Sequence, residues 1–240
     1  MKVLVVGAGV MSEYLINSIK EKGYEFVGRV DIFGNGEFDS FDKVDKEFDV
    51  IVDFSNHKLT KDVLKFAIDR KKNVLIATTG HSSDELEMIE KASEYIAVLK
   101  STNTSFGVNA LNKIVEYATK ILKDFDIELV EAHHNRKIDS PSGTANTLLD
   151  IIDSCFDEKR NRVYGRKDKK REENEIGVHS IRGGSIVGEH SLIYTKGDEV
   201  IEIKHMALSR KIFSDGAINV IAKLVEFENG LYNMKDGLEI

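Results

Sequence analysis

The stretch KVLVVGAG, residues 2–9, decides the fold class of this chain. Residues 3–6 are all apolar, which predicts a strand buried on both faces, and the glycines that follow predict a tight turn. Residues 10–23, VMSEYLINSIKEKG, then show the apolar spacing of a helix and end on a glycine. A buried strand, a glycine turn and a helix in this order predict the first unit of a parallel α/β sheet.

The same alternation of strands and helices continues to about residue 104. Further strands are predicted within residues 24–31, 48–55, 73–80 and 95–103, and helices within residues 58–72 and 82–94. This alternation predicts a doubly wound, Rossmann-like parallel sheet.

The pattern changes after residue 104 and predicts a second, α+β domain. Helices are predicted within residues 107–125 and 142–156, a strand at 126–134, and β-type runs at 176–183, 185–195 and 199–207. Because no helix separates these runs, they predict an antiparallel meander in an open mixed or antiparallel sheet. A last helix within residues 215–230 can return to the first domain. We therefore expect one domain of residues 1–104 and 211–240, and another of residues 105–210.

The composition excludes several classes of function. The chain has 240 residues, of which 41% are hydrophobic and 31% charged, and its net charge of −7 argues against nucleic acid as a partner. None of its apolar runs is long enough to cross a bilayer, so we expect no membrane partner. The single cysteine, Cys155, cannot form an internal disulfide, which is typical of the reducing cytoplasm, where we expect the protein to work.

The glycine turn indicates a dinucleotide site. Gly7, Ala8 and Gly9 follow the first strand, where backbone amides and a helix N-terminus attract a pyrophosphate. Asp31 ends the second strand, where its carboxylate would accept hydrogen bonds from the ribose hydroxyls and repel a 2′-phosphate, so we expect NADH to be preferred. A tight structural turn and an ordinary loop aspartate remain the alternatives for these two features.

Two further loops follow predicted strands at their carboxyl ends, where ligands of such sheets bind. They are TTGHS, residues 78–82, and TNTSFG, residues 102–107, and their backbone groups could hold the nicotinamide amide. The alternative is that each loop is a capped turn in which Ser82 or Ser105 begins the next helix.

The segment EAHHNRKIDSPSGTA, residues 131–145, contains the only proline of the chain and predicts a second site. His133 and His134 can reach one pocket only if the strand ends there and the chain turns. SPSGT is typical of a helix N-terminus that binds an anion, with Lys137 beside it as a point charge, so a carboxylate or phosphate is the expected ligand. A structural histidine with a capped helix is the alternative. A metal site is disfavoured because the histidines lack the usual spacing and nearby cysteines, so we predict none.

That segment closely resembles the signature of the dihydrodipicolinate reductases. The resemblance covers nearly the whole chain and includes VGAGVM (6–11), DFS (53–55), TTGHS (78–82), NTSFGVN (103–109), IRGGSIVGEH (181–190) and GLYNMKDGL (230–238). It implies reduction of 4-hydroxy-tetrahydrodipicolinate, a small dicarboxylate, to tetrahydrodipicolinate in the diaminopimelate–lysine pathway, with NADH or NADPH as cofactor. Another NAD-dependent dehydrogenase of a small dicarboxylate, or a non-catalytic dinucleotide sensor, is the alternative function.

The resemblance also implies roles for individual residues and an assembly. His133 resembles the family's catalytic acid and Lys137 its cationic catalytic or binding residue. The residues that would surround the substrate carboxylates are His134, Ser142, Gly143 and Thr144. Together with the patterns above, it places the cofactor contacts at Gly7, Ala8, Gly9, Val10, Met11, Asp31, Ser55, Thr78, Thr79, Gly80, Asn103, Thr104 and Ser105. It further implies that residues 1–104 and 211–240 bind the dinucleotide, and that residues 105–210 bind the substrate and assemble a homotetramer.

The sequence departs from the family's usual pattern at two positions. Ser12 stands where the family has a glycine, and Thr104 stands where it has an aromatic residue. Both departures fall in the predicted cofactor site, so they put the contacts to the nicotinamide in doubt more than those to the substrate.

Overall fold

The computed structural model describes residues 1–238, which form two compact units. Unit 1 contains residues 1–106 and those from 210 onward, and unit 2 contains residues 107–209. The last two residues of the predicted range 211–240 lie outside the described chain.

The described chain contains eleven strands and seven α-helices. The strands are β1 (Lys2–Val6), β2 (Glu25–Val30), β3 (Val50–Asp53), β4 (Asn73–Ile76), β5 (Ala97–Lys100), β6 (Asp126–His133), β7 (Asn161–Tyr164), β8 (Glu175–Arg182), β9 (Gly188–Lys196), β10 (Glu199–Ala207) and β11 (Gly230–Tyr232). The helices are α1 (Val10–Glu21), α2 (Thr60–Arg70), α3 (Ser83–Ala92), α4 (Phe106–Ile121), α5 (Gly143–Asp153), α6 (Lys211–Leu224) and α7 (Met234–Leu238). Each of these helices is too short or too polar to span a membrane.

Unit 1 is built on a six-stranded sheet in the order β11-β5-β4-β3-β1-β2, and the paired strands are all parallel. Alternate residues of β1 enter apolar clusters on opposite faces of the sheet. Leu4 packs with residues of α2 and α3, whereas Val5 packs with residues of α1 and α6. Burial on both faces explains the uninterrupted apolar run of β1 and confirms the predicted doubly wound sheet.

The end of unit 1 differs from the prediction. The predicted helix within residues 215–230 ends at Leu224, and the chain then adds β11 beside β5. A strand of three residues is too short to show a hydrophobic period, which is why the pattern did not indicate it.

Unit 2 contains a five-stranded mixed sheet in the order β10-β9-β6-β8-β7. β6 lies at its centre, antiparallel to β9 and parallel to β8. The predicted antiparallel meander is therefore wrong, because β8 pairs with β6 and not with β9. Ile127 and Leu129 of β6 are completely buried against α4 and α5, so this strand needs a partner at both edges.

The strand order decides where candidate site residues meet. In unit 1 the carboxyl ends of five parallel strands, β1 to β5, reach the same edge of the sheet. In unit 2 the last residue of β6, His133, is paired with Arg182 of β8, and the first residues of β9 lie on its other side. Each unit thus gathers one of the two predicted sites.

Candidate active site

The predicted cofactor contacts lie in the loops that leave the carboxyl edge of the unit 1 sheet, or in the first turn of α1. Gly7, Ala8, Gly9, Val10 and Met11 follow β1, Asp31 follows β2, Ser55 follows β3, Thr78, Thr79 and Gly80 follow β4, and Asn103, Thr104 and Ser105 follow β5. The fold therefore brings five separate segments of sequence to one edge, which is where open parallel sheets bind nucleotides.

The turn between β1 and α1 has the shape needed for a pyrophosphate. Gly7 has a φ of +101°, and a Cβ at this position would lie 2.9 Å from the Cα of Ser55, so only glycine fits without strain. Gly9 precedes α1 with an extended backbone and has no side chain to cover the first turn. A Cβ at Gly9 would have no neighbour within 4 Å among the described residues. The N-terminus of α1 thus presents its amides to a ligand, and these residues fit a dinucleotide phosphate.

Asp31 is almost fully buried and shapes its own loop. Its Oδ2 accepts hydrogen bonds of 3.1 Å from both the backbone and the side-chain nitrogen of Asn35. Its Oδ1 takes part in no hydrogen bond among residues 1–238. One oxygen therefore holds the loop, as the structural alternative required, and the other can still accept a ribose hydroxyl.

Arg29 lies on β2, two residues before Asp31, and its guanidinium is bound by two carboxylates. Its Nε and Nη2 each donate to Glu37 over 3.1 Å, and its Nη1 donates to Glu13 over 2.7 Å. The same Nη1 also reaches the hydroxyl of Ser12 at 3.3 Å. The departure at Ser12 is thus a buried side chain that packs between α1 and β2.

Ser55 is held by a buried acid. Asp53, at the end of β3, accepts hydrogen bonds from the backbone nitrogen of Ser55 at 3.0 Å and from its hydroxyl at 2.5 Å. Burial raises the pKa of Asp53 to about 6, against the opposing effect of these hydrogen bonds. The hydroxyl of Ser55 is therefore used to fix the loop that supports Gly7.

The loop after β4 is buried and hydrogen-bonded at Thr78 and exposed at the two residues that follow. Thr78 is buried, and its hydroxyl lies 3.1 Å from Nε2 of His81, whereas Thr79 and Gly80 are exposed. Nδ1 of His57 lies 2.9 Å from Glu85, whose carboxylate also caps α3 together with Ser82. The capped turn proposed as the alternative is present, and it presents the exposed backbone of the loop at the sheet edge.

The loop after β5 has two side chains turned inward, those of Thr104 and Ser105. The hydroxyl of Thr104 donates to the backbone oxygen of Phe213 over 2.6 Å, and Ser105 donates its backbone N–H to the side chain of Asn103 over 3.0 Å. Thr104 and Ser105 are both buried. The departure at Thr104 therefore anchors α6, and its hydroxyl is used within the protein.

In unit 2, His133 is bound by a buried carboxylate. Nδ1 of His133 lies 2.6 Å from Oε2 of Glu131, two residues earlier on the same face of β6, and the Glu131 side chain is completely buried. Burial alone would raise the pKa of Glu131, but hydrogen bonds from Arg182, Ser180 and His133 lower it to about 2. Glu131 is therefore ionised at neutral pH, so His133 donates from Nδ1 and its Nε2 is the nitrogen left for chemistry.

Arg182 of β8 binds the same carboxylate through both terminal nitrogens. The distances from Nη1 to Oε2 and from Nη2 to Oε1 of Glu131 are 2.8 and 2.7 Å. Nη2 also donates to the backbone oxygen of Asp139 over 2.7 Å. Arg182 thus links β6, β8 and the loop that carries Lys137.

Lys137 lies in that loop and forms an ion pair. Its Nζ is 2.8 Å from Asp139, and its backbone N–H donates to the oxygen of His134 over 3.1 Å. The hydrogen bond from Lys137 lowers the pKa of Asp139. A ligand carboxylate would compete with Asp139 for the ammonium group.

The start of α5 fits the predicted anion site, with a different division of roles. Ser142 is the N-cap: its hydroxyl accepts from the backbone of Ala145 at 3.2 Å and lies 2.9 Å from Nε2 of His190. Gly143 is exposed, and a Cβ there would meet no described atom within 4 Å. Because Ser142 is buried, the backbone at Gly143 is the part of this turn that is open to an anion.

Sequence reasoning missed the residues that surround His133. Glu131 could have been found, since it lies two residues before His133 and therefore on the same strand face. Arg182, Gly188 and His190 come from β8 and β9, and the wrong strand order hid them. A Cβ on Gly188 would lie 3.2 Å from Nε2 of His133. The His133 and His190 rings meet edge to face with centroids 5.3 Å apart.

A metal-binding cluster is not part of this arrangement. Among residues 1–238, no group of three or more histidine, cysteine, aspartate or glutamate side chains could hold a metal ion. The cluster around His133 consists instead of the Glu131 carboxylate, Arg182 and His190, with the Lys137–Asp139 ion pair on the loop that Arg182 holds, and such groups can orient an anion and transfer a proton.

Comparisons with known proteins identify the family of the chain. The family model for the N-terminus of dihydrodipicolinate reductase matches residues 1–104, and the model for its C-terminus matches residues 107–238. A 4-hydroxy-tetrahydrodipicolinate reductase of Brachyspira hyodysenteriae is 42% identical over 240 residues, covering 99% of this chain and 100% of the relative. One of Staphylococcus saprophyticus is 44% identical over 240 residues, covering 97% and 98%.

Solved structures show the same fold. A dipicolinate-bound dihydrodipicolinate reductase from Paenisporosarcina sp. TG-14 superimposes with a TM-score of 0.78 at 18% identity and covers 97% of each chain. From the two family models and these relatives, the chain belongs to the dihydrodipicolinate reductase family.

Proposed function

We propose that the cluster around His133 carries out the reaction of this family, the reduction of 4-hydroxy-tetrahydrodipicolinate to tetrahydrodipicolinate. The chain is an oxidoreductase of the diaminopimelate–lysine pathway and uses NAD(P)H. The observation that carries the assignment of roles is the 2.6 Å contact between His133 and an ionised, buried Glu131 beside the open N-terminus of α5.

The chemistry needs a hydride, a proton and the loss of water. A dinucleotide held by the loops at the carboxyl edge of the unit 1 sheet would supply the hydride. The 4-hydroxyl departs as water and leaves the conjugated imine that accepts the hydride. Electron density then moves to the neighbouring carbon, which takes up a proton. His133 in its protonated form donates that proton from Nε2, because its Nδ1 is already bound to Glu131. Lys137 is the cation placed to stabilise the developing charge.

The substrate carboxylates are proposed to bind at the start of α5. The backbone at Gly143, the hydroxyl of Thr144 and the ammonium of Lys137 provide donors and positive charge, with His134 beside them. Ser142 supports this group by capping the helix and contacting His190. On this assignment unit 2 is the substrate-binding domain, residues 105–210, and residues 1–104 with 211–240 form the dinucleotide-binding domain.

We assign NADH as the preferred cofactor. Asp31 directly follows β2, where an acid is expected to bind the adenosine ribose, and Arg29, the cation on β2, is already bound by Glu13 and Glu37. Ile32 follows Asp31 where an arginine would favour NADPH. We expect kcat/KM for NADH to exceed that for NADPH, and we expect Glu37→Gln to narrow the difference by weakening one of the two ion pairs that hold Arg29. A wild-type enzyme that clearly favours NADPH would contradict the assignment.

A homotetramer formed through the sheet of unit 2 is the proposed assembly. β10 is an edge strand, and Val200 and Met206 on it are 66% and 51% exposed. Exposed apolar residues on a sheet edge favour a partner. Light scattering at working concentration should give four times the chain mass, and a monomeric mass would contradict this. We place the enzyme in the cytoplasm, where Cys155 would stay reduced.

A coupled assay tests the reaction itself. Dihydrodipicolinate synthase, pyruvate and aspartate semialdehyde generate the substrate, and NADH absorbance at 340 nm follows its reduction. We expect NADH oxidation that depends on both the synthase and this chain. NADH binding without turnover, in the presence of confirmed synthase product, would favour the dinucleotide sensor instead.

A further inference from the structure

The Glu131 carboxylate bonds to three neighbouring parts of unit 2, namely β8, the start of α5 and the ring of His133. Its Oε1 accepts from Arg182 of β8 and, over 3.3 Å, from the backbone N–H of Ser142 at the start of α5. Its Oε2 accepts from Arg182 again and from His133. The carboxylate is completely buried, so its interactions are with the protein and not with bulk water.

We propose that Glu131, clamped by Arg182, is the positioning residue that sets the orientation and the protonated nitrogen of His133 for proton transfer. The proposal rests on the proposed role of His133 as the acid. A neutral imidazole can carry its proton on either nitrogen, and its ring can rotate about the bond to Cβ. An ionised acceptor at Nδ1 fixes both, because it keeps a proton on that nitrogen. In the protonated ring the proton on Nε2 is therefore the one transferred, and the neutral ring that remains has its proton on Nδ1.

The other titratable groups near His133 are either paired elsewhere or have a lowered pKa, so this role belongs to Glu131. Lys137, on the loop after β6, has Asp139 as its partner. His190, on β9, is kept neutral: burial and the charge of His133 lower its pKa to about 4. His205, opposite His190 on β10, has its pKa lowered by burial. Among these groups Glu131 is the one that bonds to the His133 ring.

Arg182 extends the same control to Lys137. Its two nitrogens hold Glu131 in a fork, and one of them also binds the backbone oxygen of Asp139, the partner of Lys137. A single guanidinium therefore sets the loop that carries the lysine and the carboxylate that orients the histidine. Lysine could not replace it, since an ammonium lacks the planar fork.

The test uses Glu131→Gln, which keeps the shape of the side chain and removes its charge. Glu175→Gln is the matched control, because Glu175 is also buried and bound by an arginine, Arg166, but lies at the opposite end of β8, about 23 Å from Arg182 at the usual rise of a strand. The double variant Glu131→Gln with Arg182→Gln removes both charges of the pair. It tests the same step if the single variant fails to fold, since no unpaired cation is left.

Two readouts separate positioning from a loss of structure. We expect Glu131→Gln to lower kcat between about 10- and 10³-fold with the substrate KM within about threefold, and Glu175→Gln to leave kcat unchanged. Nitrogen-15 NMR of the His133 ring, assigned by comparison with His133→Gln, should show a proton fixed on Nδ1 in wild type. In Glu131→Gln it should show a mixture of the two neutral forms.

The outcomes distinguish this proposal from the proposed function. Full kcat in Glu131→Gln, an unchanged ring signal, or an equal loss of kcat in Glu175→Gln would each overturn the positioning role. A wild-type chain that does not turn over the synthase product would overturn the proposed function instead. The ring signal would still test Glu131 in that case, because it needs no substrate.

Discussion

The two candidate sites depend on different chemical groups, mainly backbone groups in unit 1 and side chains in unit 2. At the edge of the unit 1 sheet, the side chains of Ser55 and Thr104 are used to hold their own loops, so the ligand is left mainly with exposed backbone and with the second oxygen of Asp31. Around His133 in unit 2, the reverse holds, because buried side chains bond to one another and aim one ring nitrogen. Recognition by backbone tolerates changes of side chain, whereas proton transfer does not.

This difference bears on the two positions at which the resemblance to the family is incomplete. Ser12 and Thr104 both lie in unit 1, and both side chains are buried in packing or anchoring roles. Neither needs to touch a dinucleotide for the backbone amides at Gly7 and Gly9 to bind one. The residues Ser12 and Thr104 are therefore compatible with a dinucleotide site at this edge of the sheet.

The largest effect is expected at His133. His133→Gln should lower kcat by about 10²–10⁴-fold and leave substrate KM within a few-fold, because the proton matters only in the transition state. The control is His179→Gln, which breaks a comparable 2.8 Å contact with Glu128 elsewhere in the sheet of unit 2. Steady-state kinetics in the coupled assay measure both. Full kcat in His133→Gln would break the comparison, since the reaction would then not depend on proton transfer from His133.

The wrong strand order shows what sequence reasoning can and cannot supply. The first five strands of unit 1 follow from local patterns, since each pairs with elements that obey the same alternation, whereas the short β11 does not. The residues of the opening turn and of the 131–145 segment were also found, because they lie close together in sequence. Arg182 and His190 reach His133 only because β6 lies between β8 and β9. That pairing is set by long-range burial of β6, which no local period reports.

A smaller effect is expected from Thr144, where binding and not chemistry is tested. Thr144→Val removes a hydroxyl proposed to bind a carboxylate in both ground and transition states. Substrate KM should rise by about 10- to 100-fold, equivalent to about 1.5–3 kcal/mol for a hydrogen bond to a charge, with little change in kcat. Thr147→Val is the control. Thr147 lies one turn further along α5, and its hydroxyl donates to the backbone oxygen of Gly143. A loss of kcat at unchanged KM would mean that the roles of Thr144 and His133 are exchanged.

The backbone site should respond to a single methyl group. Gly7→Ala places a Cβ 2.9 Å from the Cα of Ser55 at a φ of +101° and should cost about 1–3 kcal/mol, chiefly as weaker NADH binding. Gly23→Ala is the control, with a φ of +75° and no described atom within 4 Å of the added carbon. If both variants bind NADH equally well, the close approach at Gly7 does not matter for the cofactor.

The smallest effect concerns pH and the buried His190. Its pKa of about 4 lies below the ordinary value of 6.5, so between these values the unfolded chain binds more protons than the folded one. Stability from this group is present above pH 6.5 and is lost as the pH falls toward 4. Between pH 7 and 5.5 the loss should be about 1 kcal/mol and should disappear in His190→Gln. Urea unfolding followed by circular dichroism measures it; equal losses in both proteins would show that His190 is not held neutral.

The central claim is that dinucleotide binding and proton transfer reside in separate parts of the chain. The first depends mainly on loop backbone together with the Asp31 carboxylate, and the second depends on buried side chains around His133. NADH titration of His133→Gln and Gly7→Ala, combined with kcat at saturating NADH, tests it most directly. The account predicts an unchanged Kd for NADH with a kcat lowered at least 10²-fold in the first variant, the range of a lost general acid. In the second, it predicts a weaker Kd with kcat within a few-fold of wild type. Loss of NADH binding in His133→Gln would contradict it.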